Sequence, residues 1–129
     1  MKYLHTMVRV TDIDASLDFY CDKLGLVEKR RHENEQGRFT LVFLAAPGDD
    51  DAQVELTYNW DPEEYTGGRN FGHLAFETRN IYDLCRDLMD AGVTRSCLQT
   101  DRHGAWLHYQ LPVFFIEAQG SLGSSGSPF

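Results

Sequence analysis

The fold is decided by one stretch near the start of the chain, Leu4-His5-Thr6-Met7-Val8-Arg9-Val10. Leucine, threonine and valine side chains alternate along it with His5, Met7 and Arg9. A two-residue period of this kind is typical of a β-strand that buries one of its faces. The stretch therefore predicts a strand that presents His5 and Arg9 on the side away from the core.

A helix is predicted to follow this strand. Its apolar positions recur at intervals of four, three and four residues, which places them on one helical face: Ile13, Leu17, Tyr20 and Leu24. Thr11 and Asp14 have the spacing of a capping box at the start of the helix. Gly25 is placed to end the helix in a left-handed conformation.

Three further segments complete the first half of the chain. Residues 28–37 are polar and predict the end of a strand and a turn, and residues 38–45 predict a second apolar strand. Residues 47–51 (PGDDD) have the composition of a turn. Residues 53–59 then predict another strand, with Glu55, Thr57 and Asn59 on its polar side.

The same order restarts after residue 70. Residues 71–77 predict a strand, Asn80 is placed to cap a helix, and Gly92 ends it. In both halves the first apolar helix residue stands eight positions after the strand histidine, His5 or His73. This duplication predicts an α+β fold of two βαβββ modules that form open curved sheets with helices on the outside.

We expect a single domain over residues 1–119, made of modules 1–60 and 70–119. Residues 120–129 are rich in glycine and serine and predict a disordered tail.

The composition excludes several classes of protein. Twelve basic and 20 acidic residues give a net charge of −8, which disfavours general binding to nucleic acids or membrane surfaces. No apolar run approaches the roughly 18 residues that span a membrane. The three cysteines are odd in number and form no CxxC motif, so we expect no disulfide framework and a cytoplasmic location.

Each half offers one histidine on its first strand and one glutamate on its last: His5 with Glu55, and His73 with Glu117. Any one of these residues alone is more often structural or simply solvated. However, Glu117 is the only charged residue from Gly104 to the end of the chain, and an isolated carboxylate among apolar residues needs a cation or donors nearby. Two imidazoles and two carboxylates suit a divalent metal ion such as Ni²⁺, Co²⁺, Mn²⁺ or Zn²⁺.

Four motifs resemble the glyoxalase I (lactoylglutathione lyase) family of the vicinal oxygen chelate superfamily. They are residues 4–10 with 16–20 and 24–26, residues 37–44 (GRFTLVFL), residues 54–60 (VELTYNW), and residues 71–75 (FGHLA). The resemblance extends to about residue 94. It implies paired βαβββ modules, in agreement with the duplication.

The resemblance also implies roles for individual residues. His5, Glu55 and His73 would be metal ligands, and Arg9, Asn59 and Arg69 would bind glutathione. The zinc-type members carry glutamine where this chain has His5, so the resemblance implies the bacterial class activated by Ni²⁺ or Co²⁺, with Zn²⁺ as the other candidate.

The implied reaction is isomerisation of the hemithioacetal of methylglyoxal and glutathione to S-lactoylglutathione. Glu117 would be the principal base, and Glu55 would act from the opposite side of the substrate. Removal of the proton would give an enediolate that the metal stabilises, and the base would then return the proton to the neighbouring carbon. The family also implies a homodimer whose sites lie at the interface.

Beyond Thr94 the sequence departs from the family pattern. A Pro-Asp-Gly turn is missing, and the last strand has Phe115-Ile116-Glu117-Ala118. Glu117 is assigned as the fourth ligand on its spacing from His73, with His103 and His108 as other candidates. Two alternatives remain open: another metalloenzyme of the superfamily (a thiol transferase, epimerase or dioxygenase), or a metal-free small-molecule binding module.

Overall fold

A computed structural model describes residues 1–66, 73–93, 97–101, 104–110 and 115–120, with side chains described as far as residue 93. The chain divides into two compact units, Met1–Tyr65 and Thr66–Phe129. Within the described ranges, no helix is long and apolar enough to cross a membrane.

The first unit contains a four-stranded sheet and one helical region. Its elements are strand β1 (His5–Val10), helix α1 (Ile13–Leu17), a π-helical segment (Asp18–Lys23), and strands β2 (Val27–Asn34), β3 (Phe39–Ala46) and β4 (Asp49–Asn59). The strand order is β1-β4-β3-β2. β1 pairs with β4 in parallel, and the other neighbours are antiparallel.

The second unit repeats this arrangement. Its elements are strand β5 (His73–Thr78), helix α2 (Ile81–Asp90), and strands β6 (Cys97–Asp101), β7 (Gly104–Gln110) and β8 (Phe115–Gly120). The strand order is β5-β8-β7-β6, and again the first and last strands are parallel. The predicted α+β fold of two βαβββ modules is confirmed.

Burial alternates along β1 as the sequence predicts. Val8 and Val10 are buried, whereas Met7 and Arg9 are exposed. The core of the first unit takes its other apolar side chains from β3, β4, the helical region and the loop after it: Val42, Leu44, Val54, Leu56, Phe19, Tyr20 and Leu26. One face of the sheet is therefore covered, and the face that carries His5 and Arg9 is the other one.

The helical region differs from the regular α-helix that the apolar spacing predicts. From Asp18 onward it is π-helical, and the amide of Leu24 donates to the carbonyl of Phe19 over 2.9 Å, five residues back. The neighbours Phe19 and Tyr20, which lie in this wider turn, are both buried. Gly25 then ends the helical region with a φ of +86°, as expected.

Two local predictions in this unit were wrong. The cap of α1 is Asp12, whose side chain accepts from the amide of Ala15 over 2.9 Å, and not Thr11. The three aspartates at 49–51 belong to β4 and not to a turn. Gly48, with a φ of +82°, allows the chain to reverse before them.

A β-bulge interrupts the ladder between β2 and β3. Glu28 pairs with Leu44 and Arg30 pairs with Phe43, so Lys29 has no partner in this ladder. The extra residue shifts the alternation of β2 by one position. Arg30 therefore lies on the same face of the sheet as Phe43.

Candidate functional site

The face of the first sheet opposite the apolar core, here called the site face, follows from the strand registers. It carries residues from all four strands: His5, Met7, Arg9, Arg30, Leu41, Phe43, Gln53, Glu55, Thr57 and Asn59. Four of the seven residues predicted to form a site lie on it. The structure therefore brings His5, Arg9, Glu55 and Asn59 to one surface.

His5 and Glu55 are in direct contact on the site face. The distance between Nε2 of His5 and Oε2 of Glu55 is 2.9 Å, and their side chains are 31% and 12% exposed. Thr57 donates a 3.1 Å hydrogen bond to Oε1 of the same carboxylate. This pair is partly shielded from water, yet it remains open to a ligand on one side.

The pair has the chemistry of half a metal site. Imidazole nitrogen and carboxylate oxygen both bind a divalent ion at about 2.0–2.2 Å. Two such atoms that subtend a right angle at the ion lie about 3 Å apart, which agrees with the observed 2.9 Å. His5 and Glu55 therefore fit adjacent positions around one cation.

Phe43 and Arg30 extend the site beyond the residues that the sequence singles out. The ring of Phe43 meets the imidazole of His5 edge to face, with centroids 5.3 Å apart. The guanidinium carbon of Arg30 lies 3.7 Å from the centroid of the same ring. The sequence does not single out Arg30, because residues 28–37 are uniformly polar and predict only the end of a strand and a turn.

The second unit repeats the backbone register of the first. In β1 and β4, His5 pairs with Gln53, and Glu55 stands two positions further along. In β5 and β8, His73 pairs with Phe115, and Glu117 again stands two positions further along. Both histidines begin their strands, so the two His–Glu pairs occupy equivalent backbone positions.

The remaining predicted ligands are described only in part. The side chain of His73 is exposed. Glu117 lies in β8 opposite His108 of β7, but its side chain lies outside the described part of the chain, as do Arg69 and His103. Among the side chains that are described, no three histidines, cysteines or carboxylates converge on one point.

Asn59 is held by two residues of the segment that follows β4. Its amide nitrogen Nδ2 donates to Glu63 Oε2 over 3.1 Å and to the Tyr65 hydroxyl over 3.2 Å. The Tyr65 hydroxyl also donates to Glu63 over 3.0 Å. Loss of hydration and the nearby Glu63 carboxylate raise the pKa of Tyr65. The hydrogen bond from Asn59 and the charge of Arg9 lower it, so they oppose this shift.

A cleft of about 150 Å³ lies beside this cluster. It is lined by the ends of β1 and β4 and by the following segment: Val10, Thr11, Tyr58, Trp60, Glu63 and Tyr65. The cleft borders Asn59, so it gives this end of the first unit room for a small polar group.

Comparison with known proteins identifies a family. The family model described as "Glyoxalase/Bleomycin resistance protein/Dioxygenase superfamily" matches residues 2–110. A probable lactoylglutathione lyase from Synechocystis is 43% identical over 93 residues, which cover 71% of each chain. The lactoylglutathione lyase of Neisseria meningitidis serogroup A is also 43% identical, over 71% of this chain and 67% of its own.

Solved structures show the same relationship. A trypanothione-dependent glyoxalase I from Leishmania major superposes with a TM-score of 0.80 at 28% identity, over 93% of this chain and 86% of that one. TnmS3, an antibiotic binding protein from Streptomyces, has a TM-score of 0.73 at 20% identity, over 94% of this chain and 96% of its own. The second likeness shows the fold alone.

Proposed function

The chain belongs to the glyoxalase/bleomycin resistance protein/dioxygenase superfamily, and we propose that within it this protein is a lactoylglutathione lyase. The reaction is isomerisation of the hemithioacetal of methylglyoxal and glutathione to S-lactoylglutathione. The relatives that are 43% identical support this activity. The observation that carries it is the contact between His5 and Glu55, whose backbone register recurs at His73 and Glu117.

The proposed metal ligands are His5, Glu55, His73 and Glu117. Ni²⁺ or Co²⁺ is the proposed ion, with Zn²⁺ as the other candidate, because this chain has His5 where the zinc-type members of the family carry glutamine. When bound, the ion supplies Lewis-acid stabilisation of the negative charge that develops on the substrate oxygens.

The protein side chains move the proton in this proposal. Glu117 removes the proton from the carbon that bears sulfur and returns it to the neighbouring carbon. Glu55 can act from the opposite side of the substrate. Thr57 holds one oxygen of Glu55, which leaves Oε2, the oxygen nearest His5, for the ligand or for the proton.

The glutathione moiety is assigned to Arg9, Asn59 and Arg69. Arg9 is exposed on the site face, where its guanidinium suits a carboxylate. Asn59 offers amide donors at the end of β4. We further propose a homodimer whose sites lie at its interface and a cytoplasmic location, the latter because the cysteines are odd in number and unclustered.

The decisive experiment is metal reconstitution. Chelator-treated protein is assayed with the hemithioacetal after Ni²⁺, Co²⁺, Mn²⁺ or Zn²⁺ is added singly. Turnover restored by Ni²⁺ or Co²⁺, with much less from Zn²⁺, supports the proposal. A folded protein that turns over with none of the four ions would overturn it.

A further inference from the structure

Arg30 is fixed above the site face by an aromatic ring. Its guanidinium carbon lies 3.7 Å from the centroid of Phe43, within the range of a cation–π contact. Phe43 is only 5% exposed and contacts His5 with its ring. The stack therefore holds a planar cation close to His5, one of the proposed metal ligands.

Among the side chains that the structure describes, Arg30 also has no acidic partner. Most of the described basic residues form salt bridges with carboxylates, among them Lys2, Lys23, Lys29, Arg31, Arg38 and Arg86. Within the described ranges, neither Arg9 nor Arg30 has such a bridge, and both lie on the site face. In a chain with a net charge of −8, two unneutralised guanidinium groups on one face are suited to an anionic ligand.

The two arginines lie on opposite edges of the site face, and Arg9 shares its strand with His5. Arg9 is on β1 and Arg30 on β2, the two edge strands of the sheet, with β4 and β3 between them. Three strand spacings of about 4.8 Å separate these edges by roughly 14 Å. A substrate whose thiol end is held at Arg9 and whose reacting carbons lie at His5 and Glu55 would extend its other end towards Arg30.

We propose that Arg30 is a specificity residue that binds an anionic substituent on the aldehyde-derived part of the substrate. The chemical class is a 2-oxoaldehyde that bears a carboxylate. The planar guanidinium has donors along its edges while Phe43 covers one of its faces, so it can form paired hydrogen bonds with a carboxylate. This inference rests on the proposed function, because it needs a thiol adduct bound across the site face.

The test uses unreactive thioethers, so that it does not depend on turnover. Binding of S-(2-carboxyethyl)glutathione and its neutral amide, S-(2-carbamoylethyl)glutathione, is measured by calorimetry on the metal-loaded protein. We expect the carboxylate compound to bind about tenfold more tightly, the usual scale of one charge-assisted contact. Raising the salt concentration should reduce this preference.

Two variants assign the preference to Arg30. Arg30→Gln should bring the two affinities to within about twofold of each other. Arg31→Gln is the matched control, because Arg31 is the next residue, lies on the opposite face and pairs with Glu28. It should keep the preference of the wild type.

The outcomes separate this inference from the proposed function. If the protein turns over the methylglyoxal adduct but binds the two thioethers with equal affinity, the role of Arg30 is overturned and the lyase proposal stands. A second outcome is a wild-type protein that prefers the carboxylate thioether tenfold but shows no turnover. If Arg30→Gln abolishes that preference, the lyase proposal is overturned and the role of Arg30 is upheld. Failure to bind either thioether overturns the inference, as does a preference that survives in Arg30→Gln.

Discussion

Thr57 and Glu55 are linked by a 3.1 Å hydrogen bond on the site face, from the threonine hydroxyl to Oε1 of the carboxylate. Thr57 is 7% exposed, so water has little access to replace this donor. The bond leaves Oε2 of Glu55 beside His5. The orientation of the proposed ligand Glu55 thus depends on a residue that is not itself a proposed ligand.

Loss of this bond should weaken metal binding. Thr57→Val keeps the size of the side chain and removes the hydroxyl, and outer partners of metal ligands typically contribute about 10–100-fold in affinity. We expect the lower part of that range in titrations with Co²⁺ followed by absorbance. Thr57→Ser, which retains the hydroxyl, should bind Co²⁺ within about threefold of the wild type. Equal affinity for Co²⁺ in the valine and serine variants would contradict the prediction.

Glu117→Gln should remove most turnover. The amide cannot accept the proton, and a general base contributes about 10²–10⁴-fold to the rate. Initial rates with the hemithioacetal are compared at saturating Ni²⁺, with Glu33→Gln as control because Glu33 pairs with Thr40 on the other face of the first sheet. Near-normal turnover of Glu117→Gln at full metal occupancy would show that the base lies elsewhere.

Glu63→Ala should lower the KM for the hemithioacetal and leave kcat unchanged. Glu63 occupies the amide of Asn59 in the structure, and we expect the substrate to compete for the same donor. One hydrogen bond has a net value of about 0.5–1.5 kcal/mol, which corresponds to a roughly two- to tenfold change. Glu64→Ala removes the adjacent exposed carboxylate and is the control. A higher KM in Glu63→Ala would mean that Glu63 orients Asn59 for the substrate.

Asn80→Ala should destabilise the second unit. The Asn80 side chain accepts hydrogen bonds from the amides of Tyr82 and Asp83, over 3.0 and 3.3 Å, at the start of α2. Loss of such a cap lowers the free energy of unfolding by about 1 kcal/mol. Urea denaturation should show this difference, and Asn80→Ser should recover most of it. Indistinguishable midpoints for the alanine and serine variants would argue against a capping role.

The Glu28–Arg31 pair should give a small, pH-dependent contribution to stability. The hydrogen bond from Arg31 lowers the pKa of Glu28 below its ordinary value of 4.5. Because the pKa of Glu28 is lower in the folded state, the pair stabilises the fold fully at a pH above the pKa of Glu28 in the unfolded chain. This stabilisation is lost as the pH falls through the pKa of Glu28 in the folded state. Both side chains are more than a third exposed, so we expect less than about 1 kcal/mol.

The carboxyl ¹³C shift of Glu28 measures this effect directly. Its titration midpoint should lie below 4.5 in the wild type and rise in Arg31→Gln. The stability difference between the two proteins should shrink on acidification. A difference that grows as the pH falls would have the wrong sign for this mechanism.

The sequence predicts the repeated fold because local signals agree with burial. The alternation around His5 matches the buried side chains of β1, and Gly25 and Gly92 end their helices with positive φ angles, as expected. The His5–Glu55 contact is also predictable, since a parallel pairing of two strands with known polar faces brings the two side chains together.

Other features depend on tertiary packing, about which a local sequence pattern gives no information. The apolar spacing predicts an α-helix through Leu24, yet the burial of both Phe19 and Tyr20 accompanies a π-helical turn. The cap at Asp12 was missed because Thr11 and Asp14 offer a competing motif. Arg30 was missed because the polar stretch 28–37 has no apolar alternation that would distinguish the two faces of β2.

The bulge at Lys29 also has a consequence for changes in chain length. In a regular strand, residues three apart point to opposite faces, but Glu28 and Arg31 form a salt bridge across the bulge. If Lys29 were deleted, Glu28 and Arg31 would be two residues apart, and residues two apart lie on the same face of a regular strand. Every partner in the β2–β3 ladder would keep its place. Homologous chains one residue shorter here can therefore retain an arginine opposite Phe43, and sequence alignments should place the gap at this position.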